Sequence, residues 1–337
     1  MSMAAIRILH GRHKSGGLAD GHGTTPGNGD LAGTLGELAG ALESRLAGSR
    51  RGDPSDIHRA RVAARRLLEA LALVDRNDAP AAKPARKSVR RLRRALGPVR
   101  EVDVTLALFE DEARRHDWPL GSVERVRGAL LADRERRRLH MFRRLPRACP
   151  SELIADLQGL ASSLPISKHK EAPILSARVL KRSREFDAAI RDVGPLYRPE
   201  ALHRVRIAGK KLRYALELVQ RHGYQSVTRD LSVLRQWQAR LGRLNDLHVL
   251  QTHLASIAAD RASHAVRRDV EAMDRTIEVE CRGVHARFLA DAAKLLLLAD
   301  RVRLACLTLR RPESTRMPKL PSARASAVVR AKFAKGA

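Results

Sequence analysis

The chain has 337 residues, 44% of them apolar, enough for one large domain or two medium ones with real cores, which excludes a protein disordered throughout. A net charge of +28, from 65 basic against 37 acidic residues, requires an anionic partner or surface. Only 12 of the basic residues are lysine, and the arginine that dominates has a planar fork suited to phosphate oxygens; since arginine content also follows overall usage, position has to carry the reading.

Residues 1–30 are rich in Gly, His and polar side chains and read as a flexible arm. The apolar stretch Ala4 to Leu9 is broken by Arg7 and is too short for a signal segment. From there almost every segment has helical period, and aromatic residues are only 3% of the chain, so the fold class expected is all-α. Helices are expected at 31–47, 54–76, 83–96, 101–116, 120–145, 151–163, 172–193, 199–222, 226–241, 244–262 and 264–309. Asp53-Pro54 and Pro199 open matching helices, while Leu96-Gly97-Pro98 and Leu241-Gly242 read as stops. Pro146, Pro150 and Pro165 mark a junction near 146–170, and 310–337, with Pro312 and Pro318 among basic and small residues, reads as a disordered basic tail. The longest apolar run, Ala292 to Ala299, is broken by Lys294, so no transmembrane segment is expected. Cys149, Cys281 and Cys306 lack metal or redox spacing, which fits a reducing cytoplasm.

The most informative feature is an internal repeat. His58-Arg-Ala-Arg-Val-Ala-Ala-Arg-Arg-Leu67 returns as His203-Arg-Val-Arg-Ile-Ala-Gly-Lys-Lys-Leu212, and Leu96-Gly-Pro-Val-Arg-Glu101 returns as Leu241-Gly-Arg-Leu-Asn-Asp246, both 145 residues on. One register held without insertion means two copies of one unit, about 31–164 and 172–309 within a domain of 31–309. Short connections suggest two pseudo-twofold-related four-helix bundles.

On a helix, Ile57, Ala60, Ala64, Leu67, Leu71 and Val74 line one apolar face, and His58, Arg61 and Arg65 form a stripe at its edge. His203, Arg206 and Lys210 repeat the stripe, and Arg213 extends it by a turn; Arg59, Arg66, Arg204 and Lys211 fall on other faces. Like charges stacked this way repel, so something neutralises them. Glu101 and Asp246 can do so from a neighbouring helix, or a linear polyanion can lie in a basic central groove or channel between the copies.

These residues resemble the CHAD family, named for a conserved histidine α-helical domain. The resemblance rests on His58-x-x-Arg61-x-x-x-Arg65-Arg66-Leu67, on His203-x-x-Arg206-x-x-x-Lys210-Lys211-Leu212-Arg213-Tyr214, and on the two leucine-glycine turns with their acidic followers, and spans about 31–305. It implies two pseudo-symmetric bundles around a basic cavity, binding of inorganic polyphosphate, association with polyphosphate or polyhydroxyalkanoate granules, and no catalysis by the domain alone. The anion-binding role then falls on His58, Arg61, Arg65, Arg66, His203, Arg206, Lys210, Lys211 and Arg213, with Tyr214 orienting a phosphate. Arg90 and Arg235, matched at the same offset, are secondary candidates. The first copy has Leu68 and Glu69 where the second has Arg213 and Tyr214, so the second copy is expected to bind more tightly.

No enzyme is expected, and no cofactor. Glu110-Asp-Glu112 and Glu278-Val-Glu280 fall in helical segments, where side chains two apart diverge, unlike the strand-borne metal-binding motif of the triphosphatase domains often fused to this family. Basic neighbours make His58 and His203 poor metal ligands, and no metal-binding carboxylate pair accompanies them for phosphohistidine chemistry. Nonspecific nucleic-acid binding is the alternative; scarce aromatics and the absence of a groove-reading helix weigh against it, although the basic tail can bind nucleic acid weakly. A further possibility places the amphipathic stretch from Lys294 to Leu309 on a granule surface or against granule proteins, against the plainer reading of a bundle helix.

Overall fold

The computed structural model describes residues 30–74, 81–149, 152–164, 168–222, 227–259 and 264–308. The expected arm, apart from Asp30, and the expected basic tail at 310–337 lie outside the described residues. The fold is all-α. Among the described residues ten helices run in the order α1 (Leu31–Arg51), α2 (Pro54–Val74), α3 (Ala82–Ala95), α4 (Gly97–Arg115), α5 (Leu120–Ala148), α6 (Leu153–Ser163), α7 (Lys168–Arg191), α8 (Pro199–Arg221), α9 (Thr228–Ala259) and α10 (His264–Thr308).

Local chemistry sets the ends that matter for the site. The Asp30 carboxylate accepts from the Gly33 amide at 2.7 Å and starts α1. Gly52 ends it with φ of 84°, a left-handed conformation that glycine adopts without a Cβ clash. Two residues later Pro54 opens α2, as Pro199 opens α8. The face of α2 formed by Ile57, Ala60, Ala64, Leu67, Leu71 and Val74 is wholly buried, as its period requires. In α8 the matching face is Leu202, Val205, Leu212, Leu216 and Val219.

The same cycle of packing recurs in each half of the chain. In the first, α1 packs on α2, α2 on α3, α3 and α4 on α5, and α6 closes back on α1. In the second, α7 packs on α8, α8 on α9, α9 on α10, and α10 closes back on α7. The halves meet where α4 and α5 lie on α9 and where α2 touches α8 and α7.

One sequence expectation is overturned. Leu241-Gly242 is not a stop, because α9 runs unbroken through it, whereas the matching Leu96-Gly97-Pro98 does separate α3 from α4. The difference is the third residue. Pro98 has no amide hydrogen for the carbonyl four residues back, while Arg243 in its place donates normally. A glycine alone costs a helix only about 1 kcal/mol. Four main helices per repeat therefore describes the second half, and six helices the first.

The stretch from Lys294 is a bundle helix. Leu295, Leu298, Ala299, Val302 and Cys306 are buried, and Ser176 and Ser183 of α7 donate to the Cys306 and Ala299 carbonyls, each at 2.8 Å. Its buried face packs within the bundle, while Leu297 and Leu304 on the other side are exposed. No helix among the described residues is long and apolar enough to cross a membrane.

Close packing makes two glycines of α1 unequal. A Cβ on Gly48 would fall 1.7 Å from the Asp56 carboxylate and 2.9 Å from its Cβ, while one on Gly36 would meet nothing within 4 Å. Gly48→Ala is expected to destabilise by about 1–3 kcal/mol and Gly36→Ala to stabilise by about 0.5–1 kcal/mol. Urea denaturation of the two variants beside wild type checks both signs.

Candidate anion-binding site

Where α2 touches α8 the two stripes come together. Arg65 is the common neighbour: its charge depresses the pKa of Arg61, Arg93, Arg100, Arg206 and Lys210. The cluster thus draws on α2, α3, α4 and α8, and so on both halves of the chain. Arg61, Arg65, Arg206 and Lys210 are stripe residues. Arg93 and Arg100 are additions that the repeat could not expose, because their counterparts 145 residues on are Gln238 and Asn245.

Burial dominates the electrostatics. It is the largest cause of a lowered pKa on Arg61, Arg93, Arg100, Arg206 and Lys210, with neighbouring cations adding to it. Arg61 falls to about 10 and Lys210 to about 6, so at neutral pH the Lys210 amine is mainly uncharged in the ligand-free protein. Carboxylates act on the cluster as well: Asp103 and Asp246 on Arg100, Glu101 on Arg61, and Asp246 on Arg206, with its carboxylate 3.8 Å from the Arg206 guanidinium. That separation is too long for a hydrogen bond, and burial, the larger influence, raises the Asp246 pKa. Glu101, the matching acid, is drawn away to Arg137 at 2.8 Å. Among the described residues no carboxylate lies within 4 Å of Arg65, Arg93, Arg100 or Lys210, and Nε of Arg61, Arg93, Arg100 and Arg206 is buried without a hydrogen-bond partner.

The helix break positions the first half of the cluster. Arg61 donates through Nη1 to the Arg93 carbonyl at 2.7 Å, in the last turn of α3, where the negative end of the helix dipole faces a cation. Gly97 leaves room for it: a Cβ there would stand 2.9 Å from the same nitrogen. Arg65 donates to the Arg61 carbonyl at 3.2 Å. In the second half α9 is continuous, so Arg206 has Asp246 as its partner instead.

The remaining candidates divide. His203 is exposed, with Nδ1 2.6 Å from Asn245 Oδ1; the Asn245 amide nitrogen faces Asp246 Oδ1 at 3.3 Å, which fixes the amide orientation and makes Nδ1 the donor. Its Nε2 is left for an incoming group. His58 is half-buried. Arg66, Arg213 and Arg235 collect around Glu217 instead of joining Arg65, with contacts of 3.3, 3.6 and 3.7 Å. The sequence reading put Arg66 on another face from the stripe; the structure takes it across to the second half of the chain. Tyr214 is buried and lies under the Arg213 guanidinium, 4.8 Å from its ring centroid, so it seats Arg213 rather than meeting solvent. Lys211 is half-buried and Arg90 exposed. Glu69, at the position matching Tyr214, instead holds Arg178 and Arg182 of α7 at 2.6 and 2.9 Å.

Two other features lie off this cluster. Glu112 and Glu280, from the two superficially metal-like acidic motifs, both grip Arg243 at 2.6 and 2.5 Å and join α4 and α10 through α9. A cavity of about 330 Å³ beside them is lined by Arg240, Arg243, Glu280, Val284 and Arg287. Among the described residues no group of three or more His, Cys, Asp or Glu side chains is placed to hold a metal ion. The three cysteines are buried free thiols.

Fold and site together define an all-helical domain with a half-buried cationic cluster between its two repeated halves. More particularly, the chain belongs to the CHAD domain family, whose model matches residues 33–255. Its fold is similar to the crystal structure of the CHAD domain from the plant Ricinus communis, at 24% identity and a TM-score of 0.51, over 84% of this chain and 92% of that one. It is also similar to PptA from Streptomyces chartreusis, at 17% identity and a TM-score of 0.54, over 82% and 98%. No functionally curated protein matches the chain.

Lys210 provides a test of the electrostatics without any ligand. Above pH 6 the unfolded chain binds more protons at this residue than the folded one, so its cost is greatest at pH 6 and below and fades as pH rises toward the ordinary lysine value. Lys210→Met is expected to stabilise the protein by about 1–3 kcal/mol at pH 6, with the gap to wild type narrowing toward pH 9. Urea midpoints of both proteins across that range check it.

Proposed function

We propose that the chain binds inorganic polyphosphate, using the cationic cluster between its halves as the seat for several successive phosphates, and that it acts as a binding protein without turnover. The observation that carries this is the position of Arg61, Arg65, Arg93, Arg100, Arg206 and Lys210 in one half-buried group where, among the described residues, the one ion pair within 4 Å is that of Arg206 with Asp246. A cluster so short of negative charge is stabilised by an anion presenting many oxygens, and a linear phosphate chain supplies them at regular spacing. Membership of the CHAD family supports the same ligand class. His203 Nε2 adds a hydrogen-bonding group beside the cluster. Granule association follows from the polymer: a protein holding polyphosphate is carried wherever it is stored, in a cytoplasmic setting.

Nonspecific nucleic-acid binding is less well supported. Trp237 is buried against Phe288 and Trp118 is stacked with Phe109 and His116, so neither offers a platform for an unstacked base. Several cationic groups of the cluster are buried to a depth that suits a narrow chain better than a duplex.

The test is equilibrium competition, with labelled long-chain polyphosphate displaced by short polyphosphate, duplex DNA or single-stranded RNA at matched phosphate concentration. Long polyphosphate is expected to compete best, and equal competition by DNA or RNA would return the protein to the class of general polyanion binders. Affinity is expected to fall by about two to three orders of magnitude between roughly 50 and 200 mM salt, as for six phosphate contacts on a single-stranded polymer. Replacing Arg206 and Lys210 together by alanine is expected to weaken binding at least about tenfold and flatten the salt slope, while replacing exposed Arg59 and Arg204 leaves both nearly unchanged. Equal losses from the two pairs would remove the cluster from the mechanism.

Proton linkage gives a second check. Phosphate bound at the cluster favours the charged form of Lys210, so binding at pH 7.5 is expected to take up about one proton and to weaken as pH rises from 6 to 9. Calorimetry in buffers of different ionisation enthalpy reads the uptake directly, and the Lys210→Met variant is expected to lose it.

A further inference from the structure

Beside the main cluster stands a second anion site that already contains an anion. Glu217, one turn beyond Arg213 on α8, is approached by three guanidiniums from three helices: Arg66 of α2, Arg213 of α8 and Arg235 of α9. The carboxylate side chain is only 12% exposed, and the cage joins the two halves of the chain. It fits its occupant loosely. Only Oε2 accepts a hydrogen bond, from Arg66 Nε at 3.3 Å, while Oε1 is buried with no hydrogen-bond partner and stands 3.6 and 3.7 Å from its two arginines. Arg213 Nε is likewise buried without a partner. Three cations around a carboxylate that reaches only one of them at hydrogen-bond length form a space better matched to a larger, tetrahedral anion.

The geometry points to Glu217 as an internal stand-in for a phosphoryl group, which an incoming polyphosphate chain displaces from the Arg66, Arg213 and Arg235 cage, so that this glutamate sets the affinity of the site. The inference rests on the polyphosphate reading above and adds to it a residue that opposes binding. Arg235, 54% exposed, gives the cage an open side through which a phosphate can enter. The Tyr214 ring holds Arg213 in place whether its partner is a carboxylate or a phosphate. Displacing Glu217 gives up the same three ion pairs for a chain of any length, so the cost lowers the affinity for every chain that enters the cage. The position 145 residues earlier is Ala72, so the device belongs to the second half of the chain only.

The experiment measures binding of tripolyphosphate and of long-chain polyphosphate to the full-length wild type and to Glu217→Gln, with thermal denaturation of each to verify folding. The near-isosteric amide removes the competing charge. Glu217→Gln is expected to bind long-chain polyphosphate on the order of tenfold more tightly, the lower end of couplings between close charge pairs, with a gain for tripolyphosphate no larger than that. Glu217→Asp, which keeps the charge, is expected to show no such gain. Wild-type binding that is unchanged or weakened by Glu217→Gln overturns the inference and leaves Glu217 as a brace for its arginines. Should the amide disturb folding, Glu217→Ala carries the same comparison. A wild type that binds no polyphosphate overturns the preceding reading instead, and the two failures are thereby distinct.

Discussion

The structure depends on a cluster of like charges held at the contact of α2 and α8. An exposed arginine is hydrated and stabilises or destabilises a fold by little; a half-buried one that is short of a partner loses hydration without recovering it. Here burial, more than the neighbouring cations, lowers the pKa of each affected member, and Arg65 adds its repulsion to all of them. Such an arrangement persists only where the surrounding packing fixes it. The buried faces of α2 and α8, closed by α1 and α7 behind them, supply that packing.

The two halves solve this problem differently, and one substitution accounts for much of the difference. Pro98 breaks the helix, gives α3 a free end, and offers the Arg93 carbonyl to Arg61. Arg243 at the matching position keeps α9 whole and is itself enlisted by Glu112 and Glu280, which tie the second half to the first. Arg206, denied a helix end, has Asp246 at ion-pair distance. A repeat that looks symmetric in sequence therefore holds its two cation rows by a carbonyl on one side and a carboxylate on the other. The cluster draws its members from both halves, with Arg61, Arg65, Arg93 and Arg100 from the first and Arg206 and Lys210 from the second.

Much of this was legible in the sequence. Helical period, proline starts and the fixed offset of 145 residues located the helices and singled out Arg61, Arg65, Arg206 and Lys210, because a buried stripe must sit at the edge of an apolar face. Arg93 and Arg100 were hidden because a search for duplicated residues discards positions whose copies are Gln238 and Asn245. Glu217 was hidden for the same reason, its copy being Ala72, and because a glutamate in a helix facing another helix has no local signature. Arg66 escaped a reading based on a single helix: its face points away from the stripe of α2, yet toward α8, which no periodicity within α2 can reveal. The mistaken stop at Leu241-Gly242 has a similar origin, since glycine was given the breaking power that belongs to the proline beside it in the first copy.

A site of this kind must reconcile two opposed demands. Without ligand, the charges have to be tolerated; with ligand, they have to be available. The protein meets the first by three separate means: Lys210 gives up its proton near neutrality, Arg61 leans on a helix terminus, and Glu217 fills a neighbouring cage. On the proposed reading a bound phosphate reverses the first by the uptake of a proton and the third by the release of three ion pairs, and leaves Arg61 where it stands. On this reading the costs are the same for every chain that fills the site, while the favourable contacts grow with the number of phosphates, so the count of contacts sets any preference for length. A long polymer and a single phosphate then differ in binding not through any feature of the phosphate group but through how many times the same group can be presented to cations that the fold has already left short of partners.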